Sequence, residues 1–221
     1  PYACIVTAVH TPVECTTHVL HPGQIDGRPR LPVSSALRSI LGQDPDIIMI
    51  GEIRDEETAD IAIRAALTGH LVFSTLHTNS AVATIARLKD MGIEPFLISS
   101  SLLGILSQRL VRKLCPSCKE EDSIAENFAR DYDLPQGHAI YKASGCRECN
   151  FTGYQGRQSV GELLVMDDTL KDILKQTDDE HVIKEHLHQA NFITIDDQLK
   201  ALLLKGETSL DEAIRIGLQH A

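Results

Sequence analysis

Hydrophobic and polar positions follow two alternating patterns over residues 47–91. The run Ile47–Ile50 is continuously apolar between turn-forming residues, which is typical of a strand buried on both faces. Residues 71–75 have the same character. Helical periodicity follows each run, over residues 56–67 and 80–91, and a glycine lies just after each helix. The order strand, helix, strand, helix predicts an α/β fold with a parallel sheet.

The segments before this alternation carry weaker patterns. Residues 1–20 alternate between apolar and polar positions, which predicts a strand that leads into a loop. Prolines and glycines crowd residues 21–32, so a loop is predicted there. A short helix is predicted over residues 36–41, with Ser34 or Ser35 as its N-cap.

The chain changes character after a further helix, which is predicted over residues 95–113. From residue 114 to 156, cysteines, prolines and glycines replace regular periodicity, as is typical of a small module organised by a metal ion. A short apolar run follows at 163–165. The remaining apolar periodicity predicts helices over residues 168–177, 180–189, 195–204 and 211–218.

Charge and composition narrow the classes of function. The formal net charge is −10, and the nearest basic cluster is Arg109, Arg112 and Lys113. A surface that neutralises many phosphates needs more clustered cations, so nucleic acid is not an expected partner. The chain shows no targeting segment and no apolar run long enough to span a bilayer. We therefore expect a cytosolic protein that reaches membranes only through partners.

Four of the six cysteines form two C-x-x-C pairs: Cys115 with Cys118, and Cys146 with Cys149. In a chain without an export signal, such pairs are typical metal ligands. Four thiolates suit a structural Zn²⁺ ion, because they leave no coordination position open. Two unconnected buried pairs, or a redox pair, are the alternatives. Residues 120–144, between the pairs, are expected to form helices, and Cys4 and Cys15 have no assigned role.

An acidic residue, Glu52, lies just past the end of the first predicted buried strand. In open α/β sheets ligands bind outside these strand ends, where a carboxylate can hold a Mg²⁺-bound water or orient a water toward a γ-phosphate. The second buried strand ends in the same zone and leads to His77, which could polarise a phosphate. Arg54 could contact phosphate oxygens. The alternatives are a charged turn for Glu52, a surface loop for His77, and pairing of Arg54 with the acidic residues that follow it.

Two sequence blocks around these residues resemble a known family. Residues 43–55, QDPDIIMIGEIRD, resemble the Walker B segment of the type II secretion and type IV pilus ATPases. Residues 74–81, STLHTNSA, resemble the histidine box of the same family. The blocks stand in the family's order and at its separation. The similarity continues through residues 108–115 and 153–157, and more loosely into the last helices.

The resemblance implies an architecture of three segments. Residues 1–113 would form the C-terminal part of a RecA-like ATPase core, a partial parallel sheet with flanking helices. Residues 114–156 would form a tetracysteine zinc module, and residues 157–221 a C-terminal helical subdomain. Glu52 matches the Walker B glutamate, near Mg²⁺ and the attacking water. Arg54 and His77 match nucleotide-responsive groups of the motor.

The resemblance also implies a setting for the whole protein. Members of the family are hexameric motors in the cytoplasm, peripheral to the inner membrane through their partners. They use ATP and Mg²⁺ to drive type II protein secretion or type IV pilus assembly. The implied partners are identical subunits and the inner-membrane platform components of such a machine.

The chain departs from the family pattern in two places. The phosphate-binding string G-x-x-x-x-G-K-[ST] occurs nowhere in the 221 residues, and in the family it precedes the segment that begins here. We therefore expect that the chain alone does not hydrolyse ATP. In addition, His10 and Thr11 replace the acidic pair of the family's aspartate box, although Pro12, Val13 and Glu14 match it. Histidine is a poor substitute for a carboxylate near Mg²⁺, which prefers oxygen ligands.

Three interpretations stay open at this stage. The first is the C-terminal part of a secretion or pilus ATPase, cut off from its phosphate-binding loop. The second is a natural paralogue without that loop, which joins such a machine as a non-catalytic interaction module. The third, a zinc-ribbon protein that binds nucleic acid, is disfavoured by the acidic charge.

Overall fold

The computed structural model describes residues 6–10, 20–24, 33–122, 130, 132–135, 137–177 and 179–218, the first two ranges as backbone. The chain divides into two compact units. The first comprises Pro1–Ile105 and Leu164–Ala190, and the second comprises Leu106–Leu163 and Asn191–Ala221.

The first unit contains a four-stranded parallel sheet with the strand order β2-β1-β3-β4. Its strands are β1 (Val6–His10), β2 (Leu20–Gln24), β3 (Ile47–Ile50) and β4 (Leu71–Ser74). The predicted parallel α/β sheet is therefore confirmed. Ile50 on β3 pairs with Ser74 on β4, so both strands end at the same edge of the sheet.

Six helices are described in the first unit, and four of them begin after a residue whose side chain caps the first turn. They are α1 (Val33–Leu41), α2 (Glu56–Leu67), α3 (Ala81–Asp90), α4 (Pro95–Ser101), α5 (Asp168–Gln176) and α6 (Glu180–Gln189). The Asp55 side chain accepts a hydrogen bond from the Thr58 amide at 2.8 Å, and Ser80 accepts one from Ala83 at 3.1 Å. These caps satisfy amides that have no partner within the helix, and they fix where α2 and α3 begin.

The core of the first unit forms around β3. Aliphatic side chains from the strand pack with others from α1, α2 and α4, and the largest fully buried members are Leu37, Ile48, Ile50 and Ile98. Each such side chain stabilises the fold by about 1.5–3 kcal/mol relative to exposure in water. The packed core holds the C-terminal end of β3 in a fixed position.

Three expectations for the first unit were wrong. Neither β3 nor β4 is buried on both faces: Met49 of β3 and its partner Phe73 of β4 are 37% and 52% exposed, because the described residues leave one face of the sheet uncovered at these strands. β2 occupies part of the predicted loop over residues 21–32, and as an edge strand it tolerates Pro22. Ser34 and Ser35 lie inside α1 rather than capping it, and Ser34 donates a hydrogen bond to Glu57 at 3.0 Å.

The predicted helix over residues 95–113 is also wrong beyond its first two turns. α4 ends at Ser101, and a long strand, β5 (Gly104–Leu114), follows it. Burial alternates at the start of the strand: Ile105 is buried and Leu106 is exposed. β5 pairs with β8 (Tyr154–Val165), a distant partner that local periodicity does not reveal.

In its described residues, the second unit adds a pair of short strands and two complete α-helices to most of β5 and β8. β6 (Lys119–Asp122) pairs antiparallel with β7 (Ile140–Ala143). The ends of the segment 120–144 are therefore strands where helices were expected, whereas Arg130 between them is helical. Two α-helices of this unit are described over their full length, α7 (Ile195–Leu204) and α8 (Leu210–Ile216), close to the predicted bounds. Their buried leucines pack with Val111 of β5 and Val160 of β8 to form the core of the unit.

Candidate functional site

Four cysteine thiols meet in the second unit. The Sγ atoms of Cys115, Cys118, Cys146 and Cys149 all lie within 4.8 Å of one another. Sγ of Cys115 lies 3.9 Å from that of Cys146, and Cys149 Sγ lies 3.8 Å from those of Cys118 and Cys146. Tetrahedral zinc with Zn–S bonds of about 2.3 Å requires about 3.8 Å between sulfurs. The donor set therefore fits a tetrahedral metal ion, and the four cysteines can hold one.

Two tight backbone turns present these thiols. In the first, the amides of Cys118 and Lys119 donate to the Cys115 carbonyl at 3.3 and 3.0 Å. In the second, a short 3₁₀ helix over Arg147–Cys149 ends at Asn150, whose φ is 54°. The Cys115 amide donates to the carbonyl of Gly153 at 2.9 Å, which joins the first turn to the segment that follows the second. The backbone therefore fixes the spacing of the two pairs.

The two pairs do not offer four equivalent thiols. Backbone amides of Cys146 and Gly153 each donate to Cys149 Sγ at 3.2 Å. Hydrogen bonds from these two amides lower the pKa of Cys149 to about 6, and the bond from the Cys146 amide has the larger effect. Burial raises the pKa of Cys118 to about 12. Because a metal ligand must be a thiolate, a bound cation would have to displace the Cys118 proton.

Glu52, Arg54 and His77 meet at the C-terminal edge of the sheet in the first unit. Arg54 Nη2 lies 2.6 Å from Glu52 Oε1, and His77 Nε2 lies 3.3 Å from Glu52 Oε2. The arginine pairs with Glu52 rather than with the acidic residues that follow it. The Glu52 side chain is 28% exposed, whereas those of Arg54 and His77 are 75% and 86% exposed. The carboxylate is thus held between two basic groups that remain open to a solute.

The charge of Glu52 follows from these neighbours. The hydrogen bond from Arg54 is the main reason that the pKa of Glu52 is lowered; partial burial opposes this effect, and His77 adds to it. The carboxylate is therefore ionised at neutral pH and acts only as a hydrogen-bond acceptor. An ionised oxygen donor of this kind suits a Mg²⁺-bound water.

Sequence reasoning missed a buried ion-pair network in the second unit. Glu212 is fully buried, and its carboxylate accepts hydrogen bonds from the Arg112 side chain at 2.6 and 2.9 Å and from Arg215 at 2.6 and 2.7 Å. The Arg112 guanidinium also stacks 4.1 Å above the Tyr154 ring. The only sequence signal was the basic cluster that contains Arg112, and it did not identify the carboxylate that binds it.

Several sequence expectations concern residues that the structure does not describe. Cys4, Cys15 and the residues 11–14 of the aspartate-box segment lie outside the described residues. His10 ends β1, but only its backbone is described. Among the described residues, no helix combines the length and the apolar composition needed to cross a membrane.

The sequence model of one protein family, described as "Type II/IV secretion system protein", matches residues 3–215 of the chain. The chain is 45% identical over 213 residues to the type II secretion system ATPase E of Vibrio cholerae, covering 96% of this chain and 42% of that protein. It is 44% identical over 211 residues to the type II secretion system protein E of Dickeya dadantii, with the same coverage. The chain therefore spans less than half the length of these relatives.

Solved structures of related fold agree with this match. The pilus retraction motor PilT, solved with bound ADP, superposes with a TM-score of 0.68 at 26% identity, over 96% of this chain and 52% of that one. The ATPase DotB of Legionella pneumophila gives a TM-score of 0.64 at 22% identity, over 96% and 50% of the two chains. The second likeness supports the fold alone, whereas the first also links the sequence to a pilus motor.

Proposed function

Because the chain belongs to the type II/IV secretion system protein family, we propose that it is the C-terminal part of an ATPase that powers protein secretion or pilus assembly. The similar proteins support this function: one is named a type II secretion system ATPase and another a pilus retraction motor. The activity belongs to a longer protein, since the chain covers 42% of the secretion ATPase it matches.

The observation that carries the proposal is the contact of Glu52 with Arg54 and His77 at the sheet edge. We assign to Glu52 the role of orienting the water that attacks the γ-phosphate of ATP, because its carboxylate is ionised and accepts hydrogen bonds. Arg54 and His77 would contact phosphate oxygens from the exposed side. Mg²⁺ would supply neutralising charge on the phosphates when bound.

The four cysteines have a structural role in this proposal. Zinc is the proposed ion, since the distances between the thiols suit tetrahedral coordination and four protein ligands leave no position for a substrate. The ion would join the segment that follows β5 to the segment that precedes β8. It would thereby stabilise the fold of the second unit and take no part in hydrolysis.

The wider setting is proposed from the family. The complete protein would form a homohexamer in the cytoplasm and would act on inner-membrane components of a secretion or pilus machine. Neither nucleic acid nor a direct membrane span is part of this proposal. The absence of G-x-x-x-x-G-K-[ST] from the 221 residues supports the view that hydrolysis requires a segment supplied from elsewhere in the protein.

A chimera tests the proposed activity. The part of the Vibrio cholerae ATPase E that precedes the matching region would be fused in front of this chain, which is 45% identical to the segment it replaces. We expect the 221-residue chain alone to show no ATP hydrolysis, and the chimera to hydrolyse ATP. In the chimera, Glu52→Gln should lower kcat at least roughly 100-fold, the usual scale for losing a group that acts on charge in the transition state.

The matched control is Glu56→Gln, which makes the same charge change at an exposed position in the first turn of α2. It should leave kcat within about twofold. An active chimera that keeps its rate after Glu52→Gln would remove Glu52 from the chemistry. A folded, assembled chimera without activity would overturn the ATPase proposal. That result would favour a non-catalytic paralogue, an interpretation that His10 and Thr11 in the aspartate-box segment also support.

A further inference from the structure

Thr75 links the segment after β3, which carries Glu52, to the segment after β4, which carries His77. It directly follows β4 and lies two positions before His77. We propose that Thr75 is a positioning residue, which holds Glu52 at the place where His77 and a nucleotide can reach it. This inference rests on the proposed function for its catalytic consequence, but the positioning itself can be measured in the 221-residue chain.

The geometry shows two contacts from Thr75, one on each side of Glu52. The Thr75 hydroxyl donates to the carbonyl of Gly51 at 2.6 Å. The Thr75 carbonyl accepts from the amide of Ile53 at 3.0 Å. One residue of the β4 end therefore binds the backbone immediately before and immediately after the glutamate.

The hydroxyl contact matters because of the residue that it binds. Gly51 has no Cβ, so steric limits on its backbone rotation are weaker than for any other residue. The Ile53 side is better fixed, since that side chain is 7% exposed and belongs to the packed core. Without the Thr75 hydroxyl, Gly51 would lose its hydrogen bond to the end of β4, and the flexible backbone before Glu52 would be held less firmly.

A structural role alone would not explain this placement. The Thr75 hydroxyl is exposed to solvent, where an added hydrogen bond contributes little to overall stability because water competes for the same groups. The hydrogen bond instead orients the peptide between Gly51 and Glu52, next to the Glu52 carboxylate that lies 3.3 Å from His77. Small displacements of a reacting group change rates strongly, so orientation is the property expected to be sensitive.

The first test measures communication between Glu52 and His77 by NMR of the histidine side-chain nitrogens in the 221-residue chain. Glu52→Gln should shift the His77 Nε2 signal in the wild-type background, because it replaces the group that this nitrogen contacts. In Thr75→Val, which keeps the branched shape and removes the hydroxyl, the same substitution should shift the signal less than half as much. Thr75→Ser should restore the full response.

Thr78→Val is the matched control for this measurement. It also removes a threonine hydroxyl from the segment after β4, but that hydroxyl bonds Thr84 at 2.7 Å and does not contact the Glu52 turn. The response of His77 to Glu52→Gln should therefore persist. An equal response in Thr75→Val and in the wild type would overturn the inference, as would an equal loss in Thr78→Val.

The second test uses the chimera and separates the inference from the proposed function. Thr75→Val should lower kcat roughly tenfold with KM for ATP within twofold, since the hydroxyl orients the glutamate and does not bind nucleotide. Thr75→Ser should recover the rate. Suppose that the chimera is active and that its Glu52→Gln variant is inactive. A Thr75→Val variant that then keeps the wild-type kcat would refute the positioning role, while the proposed function would stand. An inactive chimera refutes the proposed function, and the NMR result then decides the inference by itself.

Discussion

Replacing Glu212 by glutamine is expected to destabilise the second unit by about 3 kcal/mol at pH 7. Its carboxylate is inaccessible to solvent and is bound by the guanidinium groups of Arg112 and Arg215. Burial raises the pKa of this carboxyl, but hydrogen bonds from Arg215 and Arg112 outweigh the effect and bring the pKa to about 2. The group is therefore fully ionised in the folded protein at neutral pH.

The magnitude follows from the difference between a folded pKa of about 2 and the ordinary value of 4.5. Each pKa unit corresponds to about 1.4 kcal/mol. Because folding lowers the pKa, the stabilisation is fully present above pH 4.5 and is lost as the pH falls toward 2. The arginine side chains are 43% and 54% exposed, so water can rehydrate them when the carboxylate is removed. This keeps the cost near the lower end of the roughly 3–5 kcal/mol typical of broken buried pairs.

Urea unfolding followed by tyrosine fluorescence measures the effect. The chain has no tryptophan, and the described tyrosines (Tyr132, Tyr141 and Tyr154) all belong to the second unit. Asp211→Asn is the control, because it makes the same charge change at the exposed neighbouring position. At pH 3 the difference in unfolding free energy between the wild type and Glu212→Gln should fall to about half its value at pH 7.

Two outcomes would refute this reasoning. Unfolding of Glu212→Gln at the same urea concentration as Asp211→Asn would mean that the buried carboxylate does not stabilise the unit. A destabilisation that stays constant from pH 7 to pH 3 would show that the cost comes from packing of the glutamine rather than from lost charge. Comparing variant with wild type at each pH also cancels the loss of metal in acid, which affects both proteins equally.

Three further predictions concern the metal site and the backbone. Chelation, or Cys146→Ser, should release the proposed zinc ion and expose the β6–β7 segment to hydrogen exchange, because metal binding and folding are coupled. Unchanged exchange after metal release would contradict a structural role. Gly153→Ala should lower the free energy of unfolding in urea by about 1–3 kcal/mol, because the added Cβ would lie 2.5 Å from the Ala143 Cβ. Gly137→Ala is the control: its φ is similarly positive but the space around it is open, so it should lower the free energy of unfolding less. Asp55→Ala should cost about 1 kcal/mol by removing the N-cap of α2, and thermal unfolding within the error of the wild type would disprove that role.

Local sequence signals located several elements well. α2 begins at Glu56, as predicted, and α3 begins at Ala81, one residue after its predicted start at Ser80, because an N-cap depends only on amides two or three residues away. The strand Ile47–Ile50 was identified by its continuous apolar run between turn residues. The C-x-x-C spacing indicated the cysteine cluster, which the fold confirms, while zinc as the bound ion remains a prediction.

Elements that depend on distant partners were harder to predict. Residues 104–114 read as the continuation of a helix, but they form β5 because β8 supplies its hydrogen bonds. β3 and β4 read as buried on both faces from their composition, yet in the part of the chain that the structure describes one face of the sheet is uncovered there, which leaves Met49 and Phe73 exposed. In both cases the pattern along the chain was compatible with two structures; strand pairing decided the first case, and packing against only one face of the sheet decided the second.

The sequence alone identified the candidate site residues: the four cysteines, the acidic residue after one apolar strand and the histidine after the next one. The tertiary structure decided which of them meet. The parallel pairing of β3 with β4 brings His77 to 3.3 Å from Glu52 and places Thr75 against the intervening turn. The fold also brings Glu212 to the Arg112 amide across 100 positions of the chain. Such contacts depend on how strands and helices pack, because residues far apart in sequence become neighbours only when a shared core fixes the elements that carry them.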